Sequence, residues 1–201
     1  MRYLSLIPII HSPEDLGGLR ESIQEAYVKR QGQEGWEAYL ASVDTLWEKI
    51  RLMVDEMGPD WSRVRVYQDG LPVCDHEEAI VRELAKKGSP NHQLLADLID
   101  RGAKLTGTES PALLIKEYEF NRRVLAQRGA SPTATASPQS HEQARRLLEE
   151  RDKFIANRIA QTLGPNEDGL IFLGMLHSLE RELPRDIQLK ILSPRKGRLA
   201  R

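Results

Sequence analysis

The sequence lacks a second cysteine. Its only one, Cys74, excludes an internal disulfide and a cysteine-based zinc cluster, and this composition is typical of a reducing compartment such as the cytoplasm. Any metal ion would therefore need histidine and carboxylate ligands. Long apolar runs are missing too, since no stretch approaches the ~20 consecutive apolar residues that span a bilayer. We expect a cytoplasmic protein that does not enter a membrane.

An excess of charge of either sign is also missing. The 201 residues hold 29 lysines and arginines against 30 acidic residues, a net charge of −1, which offers no broad attraction to nucleic acid or anionic lipid. The sequence contains no Walker A loop and no Gly-x-Gly-x-x-Gly. This argues against an enzyme that uses nucleoside triphosphates or dinucleotides. It contains no Gly-x-Ser-x-Gly either, so we do not expect a serine nucleophile of the α/β-hydrolase type.

Five short apolar runs alternate with helical patterns along the chain. The runs lie at 3–10, 64–67, 103–108, 169–174 and 187–192. Helical spacing predicts helices at about 12–27, 35–57, 76–87, 91–101, 110–127 and 141–163. Strands separated by helices, two of the strands almost entirely apolar, predict an α/β fold. We expect a mostly parallel sheet of about five strands with helices on both faces, in an order that the sequence does not reveal.

We expect one α/β domain over residues 1–192. The apolar run at the amino terminus resembles a short targeting signal, but it lacks a small-residue cleavage pattern, so we interpret it as the first strand. The uncharged segment 129–140, GASPTATASPQS, predicts a flexible loop that serves as a tolerated insertion or as a lid. The basic tail 193–201 is interpreted as a solvated end or, alternatively, as a local anion contact.

Chemically active side chains stand where the predicted strands end. His11 follows the first strand, Asp69 the second, Glu109 the third and His177 the fourth. Ligands of parallel sheets bind at the carboxyl ends of the strands, so these four side chains would meet at one rim. Each has an ordinary structural explanation, as a hydrogen-bonded histidine or a turn former. Together they predict catalytic residues, and two histidines with Glu109 are a sufficient ligand set for a divalent metal.

Three serines directly follow these side chains. Ser12, Ser110 and Ser178 would begin helices, so that unpaired backbone N–H groups and the positive ends of helix dipoles face the rim. We expect these serines, with Gly174, to bind an anionic or substrate group. The simpler interpretation is that each serine only caps its helix.

Either Arg151 or Asp152 lies on the apolar face of a predicted helix, between Leu148 and Ile155, and neither belongs in a core without a partner. That face is traced by Ala144, Leu148, Ile155, Ile159 and Leu163. A buried arginine requires a carboxylate, so Arg151 either forms an internal ion pair with Asp152 or Glu109 or positions a substrate carbonyl or phosphate.

The segment Glu150–Arg151–Asp152 and the following strand LIFLGMLH resemble the carboxyl-terminal signature of the TraB and Tiki proteins. In that family a Glu-Arg-Asn or Glu-Arg-Asp helix precedes an apolar strand that closes with Gly-x-x-His, which is Gly174 to His177 here. The family's amino-terminal Gly-x-x-His reads Pro-Ile-Ile-His at 8–11, and its usual acidic end of the second strand reads Gln68 before Asp69. Erythromycin esterases and the haem-binding ChaN proteins are related to this superfamily.

The resemblance implies a compact α/β fold whose site is formed by two strand-end histidines and acids. For some members it implies a metal-dependent hydrolase or esterase, while activities differ among such relatives. We therefore expect a hydrolase of ester or amide bonds. In one mechanism, a divalent ion that activates water is bound by His11, His177 and one acid, either Glu109 or Asp69. In the other, one histidine acts as a general base without metal. Arg151 would stabilise the oxyanion or orient the acid.

The alternative function is a non-enzymatic binding or regulatory module. It would hold a small molecule, a peptide, haem or an anion at the same rim, with His11 or His177 as ligand or donor. Aromatic residues of the long helix could then form the surface of a homo-oligomer, although core packing explains them as well.

Overall fold

A five-stranded parallel sheet lies at the centre of the structure, a computed structural model that describes residues 1–130 and 137–194. The strands run in the order β3-β2-β4-β1-β5, and each neighbouring pair is parallel. They are β1 (Arg2–Ile9), β2 (Val64–Gln68), β3 (Lys104–Thr106), β4 (Asp168–Gly174) and β5 (Ile187–Ile191). This sheet confirms the predicted α/β fold.

Helices connect the strands. They are α1 (Arg20–Met57), α2 (Glu77–Lys86), α3 (Pro90–Asp100), α4 (Pro111–Ala130) and α5 (Pro138–Thr162), with 3-10 helices at Pro13–Leu19 and Trp61–Arg63. Among the described residues, no helix combines the length and the apolar character needed to cross a membrane.

Apolar side chains pack on both faces of the sheet. On one face, α1, α2 and α3 cover the strands, and α1 contributes Val43, Trp47 and Ile50. On the other face α5 covers them, through Ile155 and Ile159 among others. The central strand β4 is covered on both faces, which is why its sequence is apolar without alternation.

The helices predicted at 12–27 and 35–57 are almost continuous in the structure, where only one residue interrupts the helical backbone between them. Ser12 and Pro13 open this region as predicted, but its first turns form the 3-10 helix and α1 follows directly. Within α1, Gly32 alone is non-helical, at φ 78° and ψ 171°. The wider gap predicted between the helices is wrong, because a glycine can reverse the chain within one residue and the helix resumes at once.

Boundaries of two further predicted segments are wrong. The third strand ends at Thr106 and not at Thr108, since the Thr108 hydroxyl accepts a hydrogen bond from the backbone N of Gln68 in place of a ladder bond. The loop predicted at 129–140 is wrong at both ends: α4 extends to Ala130, and α5 begins at Pro138, where Ser137 caps it by accepting from the backbone N of Ser140. Residues 131–136 of that loop and 195–201 of the predicted tail lie outside the described residues.

The buried stripe of α5 differs from the predicted one at its start. Ala144 is exposed, and Leu147 rather than Leu148 is buried. Leu147, Arg151, Ile155 and Ile159 are buried at intervals of four residues, and Asp152 and Ala156 are buried next to them, so the stripe includes both charged residues.

Ser178 begins no helix in the part of the chain that the structure describes. After β4 the chain makes a turn and continues without regular structure until β5. Leu179 packs in the core with Ile155 and Ile159 of α5, so the connection is held by burial and not by a helix.

The strand order places the topological switch point of the sheet between β2 and β4. From β2 the chain continues to β3 on one side, and from β4 it continues to β5 on the other. In open parallel sheets such a divergence marks the usual ligand site. The backbone N of Asp69 donates to Phe172 O at 2.9 Å, and Ile9 of β1 lies opposite Gly174. Residues that follow β1, β2 and β4 therefore meet at one edge.

Candidate functional site

Asp69 lies at the centre of a buried cluster of charged side chains at this edge. Its Oδ2 accepts hydrogen bonds from the Gly174 backbone N at 2.9 Å and from His11 Nε2 at 3.1 Å. Its Oδ1 accepts from Arg151 Nη2 at 2.7 Å and lies 3.6 Å from His177 Nε2. One carboxylate thus joins both predicted histidines to the predicted arginine.

Arg151 holds three carboxylates. Its Nη2 and Nε donate to Glu109 at 2.6 and 3.2 Å, and its Nη1 donates to Glu117 at 2.6 Å, in addition to the bond with Asp69. Its ion-pair partner is therefore Glu109 and not Asp152. With its donors directed at carboxylates and its side chain only 6% exposed, the guanidinium is placed to orient the acids rather than to contact a substrate.

Glu109 is fully buried beside this guanidinium. Burial raises the pKa of Glu109, and the hydrogen bond and charge of Arg151 offset this only in part, so its pKa stays above the ordinary value. Burial lowers the pKa of Arg151, but Glu109 and Asp69 raise it beyond its usual range. Arg151 is therefore always charged.

His177 forms a second ion pair inside the cluster. Its Nδ1 donates to Asp152 Oδ1 at 2.6 Å, and Asp152 Oδ2 accepts from the backbone N of Ser178 at 3.1 Å. Burial lowers the pKa of His177, but its bonds to Asp152 and Asp69 outweigh burial and raise the pKa to about 9. At neutral pH His177 is thus a buried cation in a fixed position.

His11 is the histidine of the cluster that reaches solvent, with 36% of its side chain exposed. Its Nδ1 lies 4.0 Å from Asp15 Oδ2, on the ring edge away from Asp69. Burial lowers the pKa of His11, while the hydrogen bond and charge of Asp69 and the charge of Asp15 raise it to a value above the ordinary 6.5. Burial raises the pKa of Asp69, but the two histidines bring it well below its usual range.

Asp15 extends the network to the start of α3. Its Oδ1 accepts from Ser89 Oγ at 2.6 Å and from His92 Nδ1 at 3.1 Å, and its Oδ2 accepts from the Ser12 backbone N at 3.0 Å. Burial raises the pKa of Asp15, but His92 and Ser89 bring it below the ordinary value. Polar contacts therefore run from α3 across the sheet edge to α4.

The residues predicted to bind an anion make contacts within the protein. Gly174 lies against the cluster, where a Cβ would be 2.7 Å from Asp69 Oδ2, so no other residue fits without a shift. The Ser12 hydroxyl donates to Asp15 at 3.2 Å, and the Ser110 hydroxyl caps α4 by accepting from a backbone N at 3.4 Å. Ser178 contributes its backbone N to Asp152, as described above.

A resident divalent ion does not fit this arrangement. Asp69, Glu109 and His177 offer ligand atoms within 4.8 Å of one another. However, Arg151 Nη2 lies 2.7 Å from one of these carboxylates and 2.6 Å from the other, so the guanidinium occupies the position that a shared ion would take.

All five predicted catalytic residues lie in this one cluster. The sequence does not predict the roles of four further members, which are Asp15, His92, Glu117 and Asp152. The sequence predicts Asp152 as a residue of the apolar helix face or as a partner for Arg151, and not as a partner for His177. Asp15 and Glu117 lie on helical segments, where an acid is ordinarily a solvated residue. His92 follows Ser89 and Pro90, which begin α3 in the same way as Ser12 and Pro13 begin their helix, and this signal could have drawn attention to it.

In comparisons with known proteins, no family model matches the chain, and neither a curated protein nor a solved structure matches it. The resemblance to the TraB and Tiki proteins therefore stays a prediction.

Proposed function

We propose that this protein is a hydrolase that cleaves an ester or amide bond at the edge formed by β1, β2 and β4. The observation that carries the proposal is the pair of His11 and Asp69, a partly exposed imidazole held by a buried carboxylate. Because Nε2 donates to Asp69, Nδ1 is free to accept a proton from water. The resemblance to the TraB and Tiki proteins implies the same class of activity for some members.

In the proposed reaction, water attacks the carbonyl carbon of the substrate. His11 Nδ1 takes a proton from the water as its oxygen bonds to that carbon. When the tetrahedral intermediate collapses, the bond to the leaving oxygen or nitrogen breaks and His11 returns the proton to it. Asp69 stabilises the imidazolium between these steps, and Arg151 keeps Asp69 ionised and in position. His177 adds a fixed positive charge beside Asp69.

The test is hydrolysis of p-nitrophenyl esters and p-nitroanilides by the purified protein. His11→Gln, which removes the base, should lower kcat/KM by about 10²- to 10⁴-fold. His141→Gln is the matched control, because His141 lies exposed on α5. The reactive form of His11 is unprotonated, so the rate should rise with pH through a pKa above 6.5. Dialysis against a chelator should leave the rate unchanged.

Two results would overturn the proposal. One is an inert wild-type protein between about pH 6 and 10, the range over which a histidine base titrates. The other is a His11→Gln variant with the full rate. Either would favour the binding module at the same rim. A rate lost to the chelator would contradict the metal-free reaction.

A further inference from the structure

Two large aliphatic side chains stand exposed beside the site. Met175 and Leu176 are 65% and 84% exposed. They occupy the middle of the turn that the His177 backbone N closes by donating to Gly174 O at 3.1 Å. Such positions normally carry glycine, proline or small polar residues. Apolar side chains in water contribute nothing to folding, so the turn itself does not explain why they are there.

This turn lies directly on the charged cluster. The Gly174 backbone N donates to Asp69, and a Cβ on Gly174 would be 3.6 Å from both His11 Nε2 and His177 Cδ2. Met175 and Leu176 follow Gly174 within two Cα steps of ~3.8 Å each. A molecule bound at His11 would therefore be within reach of both side chains.

A further exposed ring lies on α4, near the contact with Arg151. Tyr118 is 42% exposed, and Glu117, which precedes it in the chain, binds Arg151. The Tyr118 hydroxyl lies 3.1 Å from the position of a Cβ on Gly18, so Tyr118 adjoins the segment that follows His11. Its ring therefore adds exposed apolar surface near the cluster from a second element.

Charge at this edge disfavours a negatively charged ligand. Carboxylates outnumber the cations, since Arg151 and the histidines face five of them: Asp15, Asp69, Glu109, Glu117 and Asp152. Glu117 is itself partly exposed, so an arriving anion would meet a negative charge at the surface. A neutral ligand would meet no such repulsion.

We propose that the substrate carries an uncharged aliphatic chain next to the bond that is cleaved, and that Met175 and Leu176 bind this chain. The inference rests on the proposed function and names its substrate class. Binding removes apolar surface of the chain and of both side chains from water, so affinity should grow with chain length.

The activity test compares p-nitrophenyl hexanoate with p-nitrophenyl acetate. The wild-type protein should prefer hexanoate, and Met175→Ser with Leu176→Ser should lower the hexanoate-to-acetate ratio of kcat/KM about tenfold, as expected for loss of contacts to a few methylenes. Leu52→Ser is the matched control, because Leu52 is comparably exposed on α1. The ratio should not change in this control. An unchanged ratio in the double variant would overturn the inference.

A binding test separates failure of the inference from failure of the hydrolase proposal. The chain holds four methionines, so methyl-¹³C methionine NMR gives a sparse spectrum in which Met175→Leu assigns one signal. Titration with N-methylhexanamide, a neutral aliphatic probe, should shift the Met175 signal and leave the other three in place.

The outcomes are distinct. A shift of Met175 in a protein that cleaves no ester supports the apolar site and overturns the hydrolase. Cleavage without chain-length preference and without a shift overturns the apolar site alone. A third outcome is that the Met175 signal does not shift and that light scattering shows a dimer, which Leu176→Ser converts to a monomer. This result would show that a second copy of the chain covers the turn, and it would also overturn the apolar site.

Discussion

At the scale of single residues, Asp69 shows how a buried charge is retained in this protein. Its two oxygens receive two imidazoles, a guanidinium and a backbone N–H, so the carboxylate is surrounded by donors. An ionised carboxylate taken out of water would otherwise protonate, because burial alone raises its pKa. The arrangement keeps Asp69 ionised next to the candidate base His11.

The stability of the protein should depend on the Arg151 guanidinium. Arg151→Met leaves Glu109 buried without its cation and removes one of the donors to Asp69, so it should lower the free energy of unfolding by about 3–5 kcal/mol. Urea denaturation measures this. Arg151→Lys should retain only part of this free energy of unfolding, since lysine lacks the planar guanidinium whose several N–H donors bind both carboxylates. Arg146→Met, at an exposed ion pair on α5, should cost no more than ~1 kcal/mol. Equal losses in the two methionine variants would contradict the assignment.

His177 should make stability depend on alkaline pH. Its pKa is about 9 in the folded protein and 6.5 as the ordinary value, so the folded state holds the proton more tightly. This contribution is complete below pH 6.5 and is lost as pH rises through about 9; the shift corresponds to at most about 3 kcal/mol. Urea denaturation at several pH values should show the decline in wild type and a weaker decline in His177→Gln. Parallel curves would refute it.

At the scale of elements, α1 reverses its direction at Gly32. Tyr27 lies 5.4 Å from Trp36 and 5.3 Å from Tyr39 between ring centroids. At 1.5 Å per residue, a straight helix would separate Tyr27 from Trp36 by about 13 Å along its axis. The backbone of Gly32, at φ 78° and ψ 171°, brings the two halves together and lets the aromatic rings pack.

Substitution should distinguish this glycine from the one that ends α1. Gly32 has a conformation that is open almost only to glycine, whereas Gly58, at φ 50° and ψ 38°, is in the left-handed helical region that asparagine tolerates. Gly32→Asn should therefore cost about 1–3 kcal/mol. Gly58→Asn should cost less than ~1 kcal/mol. Thermal unfolding of both variants provides the comparison, and a neutral Gly32→Asn would show that the reversal is not required.

At the scale of the whole molecule, one sheet separates two apolar cores. Ile50 of α1 belongs to the core on one face and Ile159 of α5 to the core on the other, and both are fully buried. The cores share only the strands between them, so a cavity in one should not be felt by side chains in the other.

This separation predicts additive mutations. Ile50→Val and Ile159→Val each delete one buried methylene and should each cost about 0.5–1.5 kcal/mol. The double variant should equal their sum within ~0.5 kcal/mol in urea denaturation. A coupling energy well above that value would mean that the sheet transmits packing changes between its faces.

The amino-acid sequence by itself determined the five strands and the side chains that follow them. Apolar runs ended by His11, Asp69 or His177 are local patterns, and strand burial depends on local alternation and length. The helical spacing likewise predicted a charged residue on the buried face of α5, Arg151 or Asp152, and the structure buries both.

Only the tertiary structure decided which of these residues meet. The order β3-β2-β4-β1-β5 sets β1 and β2 on either side of β4 and thereby brings His11 and Asp69 to Gly174. Asp152 binds His177 and leaves Glu109 to Arg151 because of the way α5 lies across the sheet. Such contacts join residues far apart in the chain, and the spacing of residues along one segment carries no information about the packing of another.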